Sequence, residues 1–239
     1  MEDVMRYVLE NETLKVEIES FGAELKSVIN KETNQEYMWQ ADPTYWGRTS
    51  PILFPFVGSL RDKCYTYNGK TYPMGQHGFA RDMEHTLVSK TDSAIYFELL
   101  STEETMEKYP FSFALNLGYE LTGNELNVIW KVTNTAAEQV MHFNIGAHPA
   151  FNCPIHGEEN KAGYKFYFAD VDEIHHHGHT DTGLSIEEDV VLPLENHRAI
   201  ITPEFFDGST YIIENPTTKE IGVEDPEGNR FVSVLFDMP

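Results

Sequence analysis

Two short segments each place a histidine beside glycine and aromatic residues. The first reads QHGFAR over residues 76–81, and the second reads GAHPAF over residues 146–151. An imidazole gives or takes a proton near neutral pH, glycine lets backbone approach a ligand, and aromatic rings cover the apolar faces of sugars. The pattern therefore suggests a sugar-binding site at which His77 and His148 exchange protons with the ligand.

Each of these residues also has a purely structural interpretation. A histidine next to glycine is commonly a hydrogen-bonded turn residue, and an arginine commonly pairs with a carboxylate or covers an aromatic ring with its stem. Both interpretations stay open for Arg48 and Arg81. The core is the preferred position for four phenylalanines, Phe54, Phe56, Phe79 and Phe151. Phe79 follows the first histidine segment's glycine, so it is the one of the four that is a candidate for contact with the ligand.

Composition excludes several classes of partner. The 239 residues carry 17 basic and 39 acidic side chains, a formal net charge of −22, and 41% of them are hydrophobic. This charge repels nucleic acid and anionic membranes, so neither is an expected partner. The length fits one large all-β domain covering residues 1–239. No secretory signal is recognisable near Met1, so we expect a cytoplasmic protein.

No metal or disulfide framework is expected. Cys64 and Cys153 are too few for a disulfide scaffold and lack the spacing of a zinc site. The run HHHGH over residues 175–179 raises a metal hypothesis, because imidazole is a common ligand of zinc, copper and nickel. Consecutive strand residues point to opposite faces, however, so a solvated loop is the preferred interpretation.

Alternation of apolar and polar residues predicts an all-β, antiparallel fold. It places Leu14, Val16 and Ile18 on one face of a strand over residues 14–19. Asn68-Gly69 predicts a tight hairpin within residues 65–72, and residues 121–125 predict another. One short helix is expected over Ser101–Lys108, with Ser101 and Glu104 as a capping box. The same alternation recurs over residues 94–100, 115–121, 125–132 and 231–236.

Three strings in a fixed order carry a family resemblance. They are WGRTSPILFP over residues 46–55, HGFAR over 77–81 and GAHPAF over 146–151, and a turn FGAE over 21–24 precedes them. Together they resemble the aldose 1-epimerase (galactose mutarotase) family, in its shorter LacX-like branch, over nearly the whole chain. The resemblance implies a large antiparallel β-sandwich, the galactose mutarotase-like supersandwich, with the sugar in an open cleft across one sheet.

The resemblance also implies a reaction without a cofactor. The α and β anomers of an aldose interconvert by ring opening, rotation about C1–C2 and reclosure, which needs an acid at the ring oxygen and a base at the anomeric hydroxyl. By matching position, His148 is the acid and His77 hydrogen-bonds the substrate or supports the developing charge. Arg48 and Arg81 orient hydroxyls, or a phosphate, and Asp207 binds a hydroxyl.

Family members continue beyond a segment like residues 232–239 into strands that carry a general-base glutamate. We therefore expect a truncated chain, a non-catalytic carbohydrate-binding relative, or a substitute carboxylate such as Glu214 or Glu224. Missing strands would expose a sheet edge, which predicts a homodimer or low stability. A hexose-6-phosphate 1-epimerase is the closest alternative activity, and the sequence does not identify the sugar.

Overall fold

The computed structural model of the chain describes residues 4–157, 161–180, 183–206 and 210–237. Within these ranges the protein is mostly β, with several antiparallel sheets and a single short α-helix, which confirms the predicted all-β class. The chain divides into two compact units, Met1–Asn152 and Cys153–Pro239, which are described separately as unit 1 and unit 2. The single-domain organisation stays a prediction. No helix among the described residues is long and apolar enough to cross a membrane.

Unit 1 holds most of the regular structure. It has 3₁₀ turns at Arg61–Lys63 and Ala80–Asp82. Its strands and α-helix are β1 (Arg6–Glu10), β2 (Leu14–Glu19), β3 (Leu25–Asn30), β4 (Gln35–Glu36), β5 (Ile52–Leu53), β6 (Cys64–Tyr67), β7 (Lys70–Pro73), β8 (Thr86–Lys90), β9 (Ala94–Leu100), α1 (Glu103–Lys108), β10 (Phe113–Thr122), β11 (Glu125–Asn134) and β12 (Gly146–Ala147).

Two antiparallel sheets of unit 1 bury their apolar faces in one core. Their strand orders are β1-β2-β3-β4 and β11-β10-β9-β8. Alternate residues of β2 and of β9 are buried, as the sequence pattern predicts, and Tyr7 meets Phe97 across the core at 5.6 Å between ring centroids. The strands predicted at residues 14–19 and 94–100 have the observed bounds of β2 and β9.

The predicted hairpins form and the predicted helix cap is wrong by one residue. β6 and β7 are joined by Asn68 and Gly69 at φ 48° and 77°, the left-handed region that a primed turn requires. α1 begins at Glu103 and is capped by Thr102, whose side chain accepts from the backbone N–H of Thr105. Thr102 and Thr105 have the same capping spacing as the predicted pair and thus provide an alternative cap one residue later.

Unit 2 is a smaller antiparallel assembly with its own apolar cluster. Its strands are β13 (Lys165–Phe168), β14 (Glu173–His176), β15 (Val190–Pro193), β16 (Arg198–Ile200), β17 (Glu220–Glu224) and β18 (Arg230–Leu235). The main sheet has the order β16-β13-β17-β18, and β14 pairs with β15. Phe168, Ile174 and Ala199 are buried together.

The histidine run begins on a strand and is not wholly the predicted solvated loop. The exposed His175 ring contacts the carboxylates of Asp189 at 2.8 Å and Glu173 at 3.3 Å. His176 points to the opposite face, is 8% exposed and packs on the Tyr211 ring at 4.2 Å. Burial of every second side chain explains the difference. Among the described residues, no group of three or more His, Cys, Asp or Glu side chains is placed to hold a metal.

Gly78 fixes the first histidine segment against the backbone before Pro55. Its φ is +74°, and a Cβ there would lie 2.1 Å from the carbonyl oxygen of Phe54. That oxygen accepts the backbone N–H groups of Phe79 at 3.0 Å and Ala80 at 3.1 Å. Only glycine combines this backbone angle with so close an approach.

Replacing Gly78 with alanine should therefore destabilise the protein more than replacing Gly69. Both positions have positive φ, which costs roughly 1–2 kcal/mol for a residue with a Cβ, but no atom lies within 4 Å of a Cβ at Gly69. The clash at Gly78 should add ~1–3 kcal/mol. Urea unfolding followed by tryptophan fluorescence measures both variants, and equal losses for Gly78→Ala and Gly69→Ala would contradict this account.

Candidate active site

The two predicted histidines lie together in unit 1. The ring centroids of His77 and His148 are 5.7 Å apart, with 53° between their planes. β12, just before His148, pairs with β5, and the His148 N–H donates to the Pro51 carbonyl at 3.1 Å. The segment that carries His77 bridges the same stretch of chain at Phe54. Residues 51–55 therefore position both imidazoles.

The backbone of Gly58 fixes the ring of His77. The Gly58 N–H donates to Nδ1 of His77 at 2.9 Å, and the Gly58 carbonyl accepts the backbone N–H of His77, also at 2.9 Å. Because Nδ1 is the acceptor, the neutral ring carries its proton on Nε2. Burial lowers the pKa of His77 to about 4, assisted by the positive charge of Arg81, by His148 and by Arg48. At pH 7 the ring is a neutral donor through Nε2.

His148 is shielded on one side by an aromatic ring. The indole of Trp46 lies 4.9 Å from the imidazole, centroid to centroid, at an interplanar angle of 58°. Burial lowers the pKa of His148, and the charge of Arg81 lowers it further. Both effects disfavour the imidazolium form, because a charged ring loses hydration and meets a like charge. The neutral form of His148 therefore predominates at pH 7.

Two arginines lie beside the histidines and share one carboxylate. Arg48 pairs with Asp82, and Nε of Arg81 lies 3.7 Å from the same carboxylate. Arg81 also donates from Nη2 to the Gln76 carbonyl at 2.8 Å, which ties it to the start of the first histidine segment. Burial and the charge of Arg48 lower the pKa of Arg81.

One N–H donor of the Arg81 guanidinium makes no hydrogen bond to the described residues. Its side chain is 16% exposed, and its Nε atom is buried without a hydrogen-bond partner among the described residues. A buried N–H without an acceptor is costly, so the Arg81 guanidinium gains when it donates to a ligand oxygen. Arg81 and Arg48 thus supply positive charge and donors at the site, in a chain whose net charge is −22.

Glu24, which the sequence does not single out, holds the loop after Arg48. Its side chain is buried, and Oε1 accepts the backbone N–H groups of Thr49 at 2.7 Å and Ser50 at 2.9 Å. Lys26 lies 3.4 Å from the same oxygen. An acidic residue in a predicted turn is typically solvated, so the sequence carries no signal for this role. The carboxylate satisfies two backbone donors that would otherwise be buried without partners.

Of the other candidate residues, Phe79 and Glu224 are buried, and Asp207 lies outside the described ranges. Phe79 is 8% exposed, and its ring packs at 6.1 Å from that of Phe113 in the core of unit 1. Its ring therefore offers a ligand little surface. In unit 2, Glu224 is buried between two arginines, and its carboxylate accepts from Nε of Arg198 at 2.7 Å.

The low pKa of His77 predicts an unusual titration. Unfolded chains protonate histidine near pH 6.5, whereas folded His77 takes up a proton only near pH 4. The folded state therefore loses stability at this residue as the pH falls from about 6.5 to about 4. The exposed His175 serves as an internal control, because hydrogen bonds to Asp189 and Glu173 raise its pKa. Long-range ¹H–¹⁵N spectra follow both rings, and a His77 midpoint at 6.5 or above would contradict the geometry.

Comparison with known proteins identifies the family of this chain. Residues 5–208 match the family described as Aldose 1-epimerase. A galactose mutarotase related enzyme from Lactobacillus acidophilus has a similar structure, with a TM-score of 0.85 and 34% identity over 93% of this chain and 74% of that one. A galactose mutarotase-like protein from Lactobacillus casei gives a TM-score of 0.83 and 33% identity over 94% of this chain and 77% of that one.

Curated sequences lead to the same group. The LacX proteins of Lactococcus lactis, one encoded on a plasmid and one on the chromosome, are each 31% identical to this chain over an alignment of 240 positions. The alignment covers 98% of this chain and 80% of each LacX protein. The match over residues 5–208 and these similarities show that the chain belongs to the aldose 1-epimerase family.

Proposed function

We propose that this protein interconverts the α and β anomers of a free aldose at the site formed by His77, His148, Arg48 and Arg81. The observation that carries the proposal is the 5.7 Å approach of the two imidazole rings beside two arginines. Family membership supports the same reaction class. We retain cytoplasmic location and a homodimer through an exposed sheet edge as predictions.

Ring opening needs a proton at the ring oxygen as the C1–O5 bond breaks. In the proposal His148 gives this proton, and the proton of the anomeric hydroxyl leaves to a carboxylate or water molecule on the other side of the sugar. Reclosure after rotation about C1–C2 reverses both transfers, so no atom is gained or lost. A lowered pKa makes protonated His148 a stronger acid toward the weakly basic ring oxygen, although a smaller fraction is protonated at pH 7.

His77 has a different task in this scheme. Its Nδ1 is occupied by the Gly58 N–H, so only Nε2 faces a ligand, and there it donates. A fixed donor stabilises negative charge that develops on a sugar oxygen without needing to reorient. Arg48 and Arg81 orient neighbouring hydroxyl groups, since a guanidinium presents several donors in a fixed plane.

Removing either histidine should slow anomer exchange by different amounts. His148→Ala should lower the rate by roughly 10²–10⁴-fold, the usual contribution of a positioned acid. His77→Ala should lower it less, because it removes a hydrogen bond and leaves the acid in place. Magnetisation-transfer NMR on D-galactose and D-glucose measures the exchange directly.

His142 provides the matched control for these variants. It is an exposed histidine of unit 1 that lies against Tyr67 and Phe111, and it lines a groove that neither His77 nor His148 lines. His142→Ala should leave exchange unchanged. Equal rates in the wild type, all three variants and buffer would exclude the proposed activity. Sugar binding without exchange would instead identify a non-catalytic carbohydrate-binding protein.

The pair of arginines favours one second candidate, a hexose-6-phosphate 1-epimerase. Arg48 and Arg81 both pair with the carboxylate of Asp82, and two guanidinium groups beside one carboxylate leave local positive charge, which suits a phosphate. If a phosphate binds there, the 6-phosphate should exchange with at least tenfold higher kcat/KM than the parent sugar at low salt. Arg81→Gln should abolish that preference. Equal kcat/KM for the two substrates would exclude this candidate.

A further inference from the structure

We propose that Trp46 is the stacking platform of this site, on which the apolar face of a pyranose lies while His148 addresses the ring oxygen. This inference rests on the proposed function, because it places the sugar at His77 and His148. It identifies the residue that contacts the apolar face of the sugar, a role for which the sequence suggested Phe79. Pyranose rings present C–H groups on their faces, and an indole covers such a face well.

The position of the indole supports this role. Its centroid lies 4.9 Å from that of His148, so a ligand that reaches the imidazole also reaches the indole. The 58° angle between the rings means that they are not stacked flat on each other. Trp46 is partly exposed, which leaves indole surface for a ligand, whereas Phe79 is buried.

The loop before Trp46 holds the residue in place. The Trp46 N–H donates to the Asp42 carbonyl at 2.9 Å, and its own carbonyl accepts Nε1–H of Trp39 at 2.8 Å. The Trp39 N–H donates to the Ala150 carbonyl at 2.9 Å, within the segment that carries His148. The loop therefore contacts the second histidine segment at two places. Trp39 is hydrogen-bonded to Ala150, and the ring of Trp46 lies against that of His148. Because the backbone of Trp46 is fixed in this way, the loop needs little further ordering when a sugar binds.

Tyr45 provides a contrast within the same loop. It is 80% exposed, and its ring contacts that of Trp39 at 6.2 Å in an edge arrangement. Among the described ring contacts of His148, the partners are Trp46 and His77. Trp46 is therefore the aromatic residue whose loss should weaken sugar binding, and Tyr45 is the neighbour whose loss should not.

The test compares Trp46→Ala, Trp46→Phe and Tyr45→Ala with the wild type. Calorimetry with D-galactose and D-glucose gives dissociation constants that do not depend on turnover, and exchange NMR gives KM and kcat. Trp46→Ala should raise the dissociation constant and KM about tenfold, the loss of roughly one aromatic contact, with kcat within about threefold. Trp46→Phe should recover most of the affinity, and Tyr45→Ala should match the wild type.

The outcomes separate this inference from the proposed function. Wild-type binding that weakens in Trp46→Ala, with no anomer exchange in any variant, would support the platform and overturn the proposed activity. Exchange with unchanged KM and dissociation constant in Trp46→Ala would support the activity and overturn the platform. A fall in kcat alone would also overturn it, because that would show that Trp46 only supports His148. Absence of binding by the wild type would overturn the platform.

Discussion

The site depends on the short buried stretch of residues 51–55. On one side its backbone pairs with β12 and accepts the N–H of His148, and at Phe54 it bridges Gly78 in the segment that carries His77. His77 and His148 are far apart in sequence, and both are held at fixed distances from this one stretch of backbone. Main-chain hydrogen bonds position both imidazoles more rigidly than side-chain contacts alone would. The glycine next to His77 is part of this arrangement, because any Cβ would push the two segments apart.

The candidate site carries positive side chains, although the chain as a whole has a large negative charge. A protein with a net charge of −22 places Arg48 and Arg81 beside two histidines and balances them locally with Asp82. Partial burial and the neighbouring positive charge lower the pKa of both imidazoles. The neutral rings therefore predominate at pH 7, and the proposed acid step at His148 uses the smaller, protonated fraction of that ring.

Sequence patterns predicted the parts of this structure that depend on local periodicity or on shared motifs. The alternation in β2 and β9 gives their observed bounds, because one face of each strand is buried. The three motifs indicated the family and both histidines. Glu24 escaped prediction because its burial is a tertiary effect, and Trp46 because only folding brings its ring to His148. The observed cap of α1 lies one residue after the predicted cap, because Thr102 and Thr105 have the same capping spacing as Ser101 and Glu104.

The most direct test of the central claim is a crystal structure with a methyl pyranoside bound, since a glycoside cannot open its ring and stays intact in the site. The account predicts one sugar within hydrogen-bond distance of both imidazoles, about 2.7–3.2 Å from heavy atom to heavy atom. Its ring oxygen should face His148, and a hydroxyl or ring atom should accept from Nε2 of His77. A sugar bound elsewhere on the protein, or one that contacts a single histidine, would contradict the account.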